Sequence, residues 1–199
     1  LTFREAETFM HEFGHALHGI LANASYSALS GTNVYHDFVE LPSQIMENWA
    51  VEKDFLDRFA EHYETGEKIP ADLVERIKAS GNYLKGYQTV RQLSFGFLDM
   101  AWHTREQAFD GDVKDFEEAA WKKTQIFPKT EGTCMSTQFG HLFNGGYAAG
   151  YYGYKWAEVL DADAFSLFRE KGLFNREVAT SFRKNILEKG GTEHPMTLY

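Results

Sequence analysis

The chain has 199 residues, 43% hydrophobic and 25% charged, with a net charge of −9 at pH 7, an ordinary balance for a folded protein with a sizeable core. The acidic surplus argues against nucleic acid as a partner, because phosphate binding needs concentrated Lys and Arg, and no run of 18 apolar residues is available to span a membrane. A single cysteine, Cys134, excludes an internal disulfide and any cysteine-based zinc site, and it fits a reducing, cytoplasmic setting.

The spacing of Phe3, Ala6, Phe9, Met10, Phe13, Leu17 and Leu21 predicts one helix over residues 3–22, with Thr2 as its N-cap. Ser, Gly and Asn residues at 25–33 read as loop, with room for a short strand near Tyr26 to Leu29. Pro42 suits the first turn of a second helix, predicted to run to Tyr63 before Thr65-Gly66. Pro70 opens a short helix that ends at Gly81, and residues 82–109 carry a long helical period. Asp112 starts another helix that stops before Phe127-Pro128, residues 129–146 read as loop, and helical period returns over 147–171 and 176–189. Without a linker or repeat, the expectation is a mainly α-helical single domain over residues 1–199 with at most a short β segment near 25–40.

The first helix contains His-Glu-Phe-Gly-His at residues 11–15. Residues four apart on a helix differ by only about 40° around the axis, so His11 and His15 point the same way and can hold one ion. Glu12 lies about 100° further round, where it flanks such an ion and suits a general base acting on water. A catalytic zinc site commonly has a third protein ligand. Glu40 is the candidate, with Asp37 and Glu47 as rivals. Glu7, one turn before His11, is a candidate acceptor for the second ring N–H of a ligand histidine. Gly14 weakens the helix interior, which either close packing or close approach of substrate would explain.

Three stretches, ETFMHEFGHALHGIL, SGTNVYHDFVELPSQIMENWA and FGHLFNGGYAAGYYGYKWAEVL, resemble the thimet-oligopeptidase-like zinc metallopeptidase family, which includes neurolysin and oligopeptidase A. The resemblance extends over nearly the whole chain and is nearest the bacterial peptidyl-dipeptidase branch. It implies a zincin-like helical catalytic domain, one zinc ion on His11, His15 and Glu40, and short peptides as substrates. Family members are much longer, so residues 1–199 read as a catalytic piece of a longer chain, without its N-terminal region and a short C-terminal tail. That N-terminal region forms the opposite wall of a substrate channel in the family.

Residues 141–156 hold four tyrosines, and Tyr147, Tyr151 and Tyr154 would share one face if the stretch were helical. A phenol keeps its proton at pH 7 and can donate to a developing oxyanion. The resemblance gives Tyr154 and Tyr147 that catalytic role and suggests His141 and Tyr151 as substrate contacts. The remaining histidines and the tryptophans read as packing or surface, and the acidic clusters at 110–118 and 158–163 as solvated faces. The resulting expectation is a zinc peptidase that releases C-terminal dipeptides, with Glu12 as general base. An endo-acting oligopeptidase is the alternative within the family, and a helical peptide-binding or scaffold module is the non-enzymatic one.

Overall fold

The computed structural model describes residues 1–199. Ten α-helices follow in chain order: α1 (Phe3–Ile20), α2 (Leu41–Glu47), α3 (Lys53–Leu56), α4 (Ala71–Gly81), α5 (Lys85–His103), α6 (Val113–Trp121), α7 (Met135–Gln138), α8 (Gly153–Lys171), α9 (Arg176–Phe182) and α10 (Pro195–Leu198). The protein is mainly helical, as expected. Thr2 caps α1 through a reciprocal pair: its hydroxyl accepts the Glu5 N–H at 3.3 Å, and the Glu5 carboxylate accepts the Thr2 N–H at 2.7 Å. Asp112 caps α6 one way, its carboxylate accepting the Lys114 N–H at 2.8 Å and the Asp115 N–H at 3.1 Å. The stretch with room for a strand is a 3-10 turn, Ser27–Leu29, and the one β pairing is an isolated bridge between Glu61 and Lys68.

Several boundaries differ from the sequence pattern. Helix α7 lies within the stretch 129–146 read as loop, and α5 ends at His103 and not at 109. The helix expected from Pro42 to Tyr63 is α2, a 3-10 turn (Asn48–Val51) and α3 instead. The break turns Trp49 inward, where its ring meets Phe165 and Phe168 edge-on at 4.7 and 4.9 Å and its indole N–H donates to the Leu173 carbonyl at 3.2 Å. Leu84 adopts a left-handed conformation (φ 53°) that separates α4 from α5. The helix expected to start at Tyr147 starts only at Gly153, because Ala149, inside the expected span, holds a positive φ (57°) incompatible with a right-handed helix.

The backbone groups into two compact units, Leu1–Tyr83 with Trp156–Tyr199, and Leu84–Lys155. In the first unit, α1 and α2 form the most extensive helix contact of the chain. Their apolar faces meet in a core of Met10, Ile45, Trp49, Ala50, Phe165 and Phe168, and a second cluster joins Phe38 and Leu41 to Leu160, Ile186 and Leu187. The second unit buries Phe95, Leu98, Cys134, Leu142 and Tyr151. Aromatic contacts dominate there, with Trp102 4.1 Å from Phe116 and Phe95 4.8 Å from Phe139 between ring centroids. No helix is long and apolar enough to cross a membrane.

Two acidic residues read as solvated are in fact buried. Glu117 accepts the Ser136 N–H at 2.7 Å and its hydroxyl at 2.9 Å, with Lys129 Nζ at 3.1 Å. Asp161 accepts from the Asn48 side chain at 3.0 Å. Trp156, read as packing, is 40% exposed.

Candidate metal centre

The geometry begins with the α1 helix, which sets His11 and His15 one turn apart, their rings 5.0 Å between centroids and nearly perpendicular. Glu40 is the residue immediately before α2, and its carboxylate is turned away from the helix start towards both histidines. Its Oε2 lies 3.3 Å from His11 Nε2 and 3.2 Å from His15 Nε2. Ligands at the usual zinc distances of about 2.0–2.1 Å stand about 3.3 Å apart along a tetrahedral edge. Both nitrogen–oxygen separations match that edge. Two imidazole nitrogens and one carboxylate oxygen therefore suit a zinc-sized ion, and these three residues form the possible metal site of the chain. Neither Asp37 nor Glu47 belongs to it.

The surroundings of these donors explain their orientation. Glu40 is 1% exposed, and a buried carboxylate is costly unless partnered. The Ser43 hydroxyl lies 2.8 Å from Glu40 Oε2 and 2.9 Å from the Glu40 carbonyl, so one proton is shared between them. His11 Nδ1 lies 2.6 Å from Glu47 Oε1. Donation of Nδ1–H to that carboxylate turns Nε2 towards Glu40 with its lone pair available. The acceptor expected at Glu7 is thus Glu47 for His11, since α2 packs beside α1 and Glu47 stands seven residues, two helical turns, beyond Glu40. That spacing was the signal available in the sequence. Burial works to lower the His11 pKa, but the hydrogen bonds and charges of Glu40 and Glu47 outweigh it and raise it to about 10. The pocket favours a positive charge at this position.

Gly14 is what lets the two helices approach. A Cβ there would lie 2.2 Å from the Pro42 carbonyl oxygen and 2.5 Å from Ser43 Cα. Close packing, not substrate approach, accounts for this glycine. Glu12 is exposed on α1. His18, one turn after His15, is fully buried with no hydrogen-bond partner on either ring nitrogen. Burial, with the neighbouring His15, lowers its pKa to about 4, so it is a neutral packing residue.

The tyrosine segment lies in the second unit and is built differently. Only Tyr154 is helical, in the first turn of α8, while Tyr147 and Tyr151 precede it in the loop. Their convergence therefore comes from the fold of the loop and not from a helical stripe. The Tyr147 and Tyr154 rings stack at 5.1 Å with a 13° interplanar angle, and His141, which is exposed, stands 5.1 Å from Tyr147 and 6.2 Å from Tyr154. Tyr151 is buried, and its hydroxyl donates to Gln92 Oε1 at 2.9 Å. Burial raises its pKa to about 12, although Gln92 and Arg91 act in the other direction. Sequence reasoning missed Gln92 and Asp99 on α5. Asp99 had a signal: it is a charge four residues after Phe95 and next to Leu98, inside the apolar stripe of its helix.

A helix carrying His-Glu-x-x-His, closed by a carboxylate at the start of the following helix, forms a possible metal site of two histidines and one glutamate. The chain belongs to peptidase family M3, whose model matches residues 1–199. Over its whole length it is 45% identical to oligopeptidase A of Escherichia coli, 42% to dipeptidyl carboxypeptidase of Salmonella typhimurium and 42% to an organellar oligopeptidase A of Arabidopsis thaliana. The chain spans 29%, 30% and 26% of those proteins, respectively. Relatives with both kinds of name stand at similar identity, so similarity alone does not choose between the two branches.

Proposed function

We propose that the protein containing this chain is a zinc-dependent peptidase acting on short peptides. The reading is carried by the convergence of His11 Nε2, His15 Nε2 and Glu40 Oε2 at separations that fit a tetrahedral zinc ion. Zinc bound there supplies two effects, lowering the pKa of a water from about 15.7 towards 7 and polarising the scissile carbonyl. Glu40 and the two histidines hold the ion, and Glu47 fixes the ring of His11. Glu12, exposed and next to His11 in sequence, takes the proton of the attacking water and passes it to the leaving amine. Tyr154, with the stacked Tyr147, donates to the oxyanion of the tetrahedral intermediate, a contribution worth about 3–4 kcal/mol in comparable sites. His141 contacts substrate. The family resemblance supports these last three roles.

The narrower reading is release of C-terminal dipeptides, with Tyr151 capturing the terminal carboxylate. Its hydroxyl is engaged by Gln92, so that capture requires the Tyr151–Gln92 bond to open. Peptides with free and amidated C-termini separate the two branches: a dipeptidyl carboxypeptidase loses the amidated substrate, whereas an endo-acting oligopeptidase cleaves both. A cytosolic location is part of the same proposal, supported by the single cysteine.

The decisive experiment is Glu12→Gln. Hydrolysis should fall at least about a hundredfold while the metal stays bound. Activity within tenfold of the original, with metal present, would refute the assignment of Glu12. A protein that binds peptides and metal but never cleaves them would instead be the helical binding module.

A further inference from the structure

Asp99 lies near the end of α5 and has no exposed surface. Its two carboxylate oxygens are turned to the tyrosine segment: Oδ1 accepts the Ala149 N–H at 2.9 Å and Oδ2 accepts the Tyr151 N–H at 3.0 Å. On the side of its own helix, His103 Nδ1 lies 2.9 Å from Oδ1 and 2.8 Å from the Asp99 carbonyl. The His103 ring meets Phe143, at the start of the same loop, at 5.6 Å.

The backbone it grips needs gripping. Ala149 holds φ at 57°, a left-handed conformation that an alanine disfavours because its Cβ crowds the following carbonyl. The Gly150 N–H closes a turn onto the Tyr147 carbonyl at 2.8 Å around Ala149, but a turn of this kind favours glycine at that position, so an alanine there gains from a further partner. The Ala149 N–H is bonded to Asp99 in that conformation. The same carboxylate accepts the N–H two residues on, so both oxygens together fix the path of the chain from Ala149 to Tyr151. Three residues later comes Tyr154. A charged acceptor makes stronger hydrogen bonds than a neutral one, and here the Tyr151 bond is buried and the Ala149 bond partly so.

We propose that Asp99 is the positioning residue of the tyrosine segment, holding Ala149 and Tyr151 by their backbone amides so that Tyr147 and Tyr154 keep the stacked arrangement from which they act. The inference rests on the oxyanion role proposed above for those phenols. Asp99 touches no reacting atom; it acts through the loop. His103 holds the carboxylate from the opposite side and keeps it aimed at the two amides.

The test uses the whole protein as encoded, with metal bound. In the original protein, hydrogen exchange at the Ala149 and Tyr151 amides should be slowed at least about a hundredfold relative to an open loop. Asp99→Asn, the same shape with a neutral group that presents one donor where two acceptors stood, should speed exchange in peptides covering 145–153 by about tenfold. Its kcat should fall about ten- to a hundredfold with KM within about threefold, because a misplaced catalytic group costs rate more than binding. Metal affinity should be unchanged. If Asp99 acts through Tyr154, the combination of Asp99→Asn with Tyr154→Phe should lose little more than the worse single variant. Open-loop exchange in the original protein overturns the clamp even if Asp99→Asn fails to fold, and so does exchange left unchanged by the substitution. Full kcat in Tyr154→Phe overturns the oxyanion reading and with it the catalytic part of this inference, whereas the exchange measurement judges the clamp by itself.

Discussion

Glu40 and Asp99, one in each unit, are both carboxylates with almost no exposed surface, yet their partners differ. Glu40 faces the Nε2 atoms of His11 and His15, and those atoms carry lone pairs once the rings are neutral. Asp99 faces two backbone N–H groups, which can only donate, together with the ring nitrogen of His103 on its own helix. A buried carboxylate among lone pairs leaves a place that a cation completes; one among donors is already satisfied. The first arrangement is a site, the second an anchor. Burial of a charge therefore does not mark function by itself. The kind of atom opposite the charge does.

The sharpest break of this comparison is Glu40→Gln. Loss of its charge should weaken metal binding well beyond the ~10–100-fold typical of losing an outer partner, read by competition with a chelator. Asp99→Asn should leave metal affinity within about twofold. If both substitutions weaken binding equally, the distinction between site and anchor is wrong.

His18 offers the next largest effect, as a buried polar group that has neither kind of partner. Its folded pKa of about 4 lies below the usual 6.5, so between those values the unfolded chain binds more protons than the folded one. Stability therefore rises with pH across that window, is complete above about 6.5, and is lower by ~3 kcal/mol near pH 4. The raised pKa of His11 adds no slope well below 6.5, where that ring is protonated in both states, and opposes the His18 slope as the pH approaches 6.5. Denaturant unfolding between pH 5 and 6.5 should show the slope, and His18→Leu should remove one proton's share of it. An unchanged slope would mean that His18 is not held neutral.

How much could be read from residues alone follows the same division. The His11–His15 pair rests on helical period, and α1 preserves that period from its capped start. Glu40 is legible because a carboxylate 25 residues after His15, beyond a loop that lets the chain turn back, has a limited set of rivals, and the family resemblance chooses among them. The tyrosines were identified by type but not by geometry, because the period suggested a helix where the left-handed Ala149 bends the chain instead. Asp99 and Gln92 stayed hidden since their partner Tyr151 lies 52 and 59 residues away in sequence, where no local pattern reaches. The break after α2 was hidden too. Trp49 leaves the helical path to reach Phe165, Phe168 and Leu173, and long-range packing outweighs local period there.

Glu47→Gln tests the support of the metal site. An outer carboxylate on a ligand histidine fixes its ring and raises its basicity, so metal affinity should fall about ten- to a hundredfold, roughly 1.4–2.7 kcal/mol. Glu7→Gln should do less at His11, because the acceptor on Nδ1 is Glu47. A larger effect from Glu7 would reverse that assignment.

The smallest effect tests how the two helices of the metal site come together. Alanine favours a helix interior over glycine by about 1 kcal/mol, so propensity alone predicts that Gly14→Ala stabilises α1. Packing predicts the opposite. The new Cβ would meet the Pro42 carbonyl at 2.2 Å, a backbone atom that cannot rotate aside, and overpacking of this kind costs about 1–3 kcal/mol. The strain falls on Pro42 and Ser43, two and three residues after Glu40, so α2 must retreat and carry the carboxylate away from His11 and His15. The net expectation is a loss of about 1 kcal/mol in thermal unfolding and about tenfold in metal affinity. Gly19→Ala on the same helix is the control, since its Cβ would meet nothing within 4 Å: it should gain stability and leave metal binding alone. If the two substitutions behave alike, the approach of α2 is not set by the missing side chain at Gly14, and some other contact must hold Glu40 against the histidines.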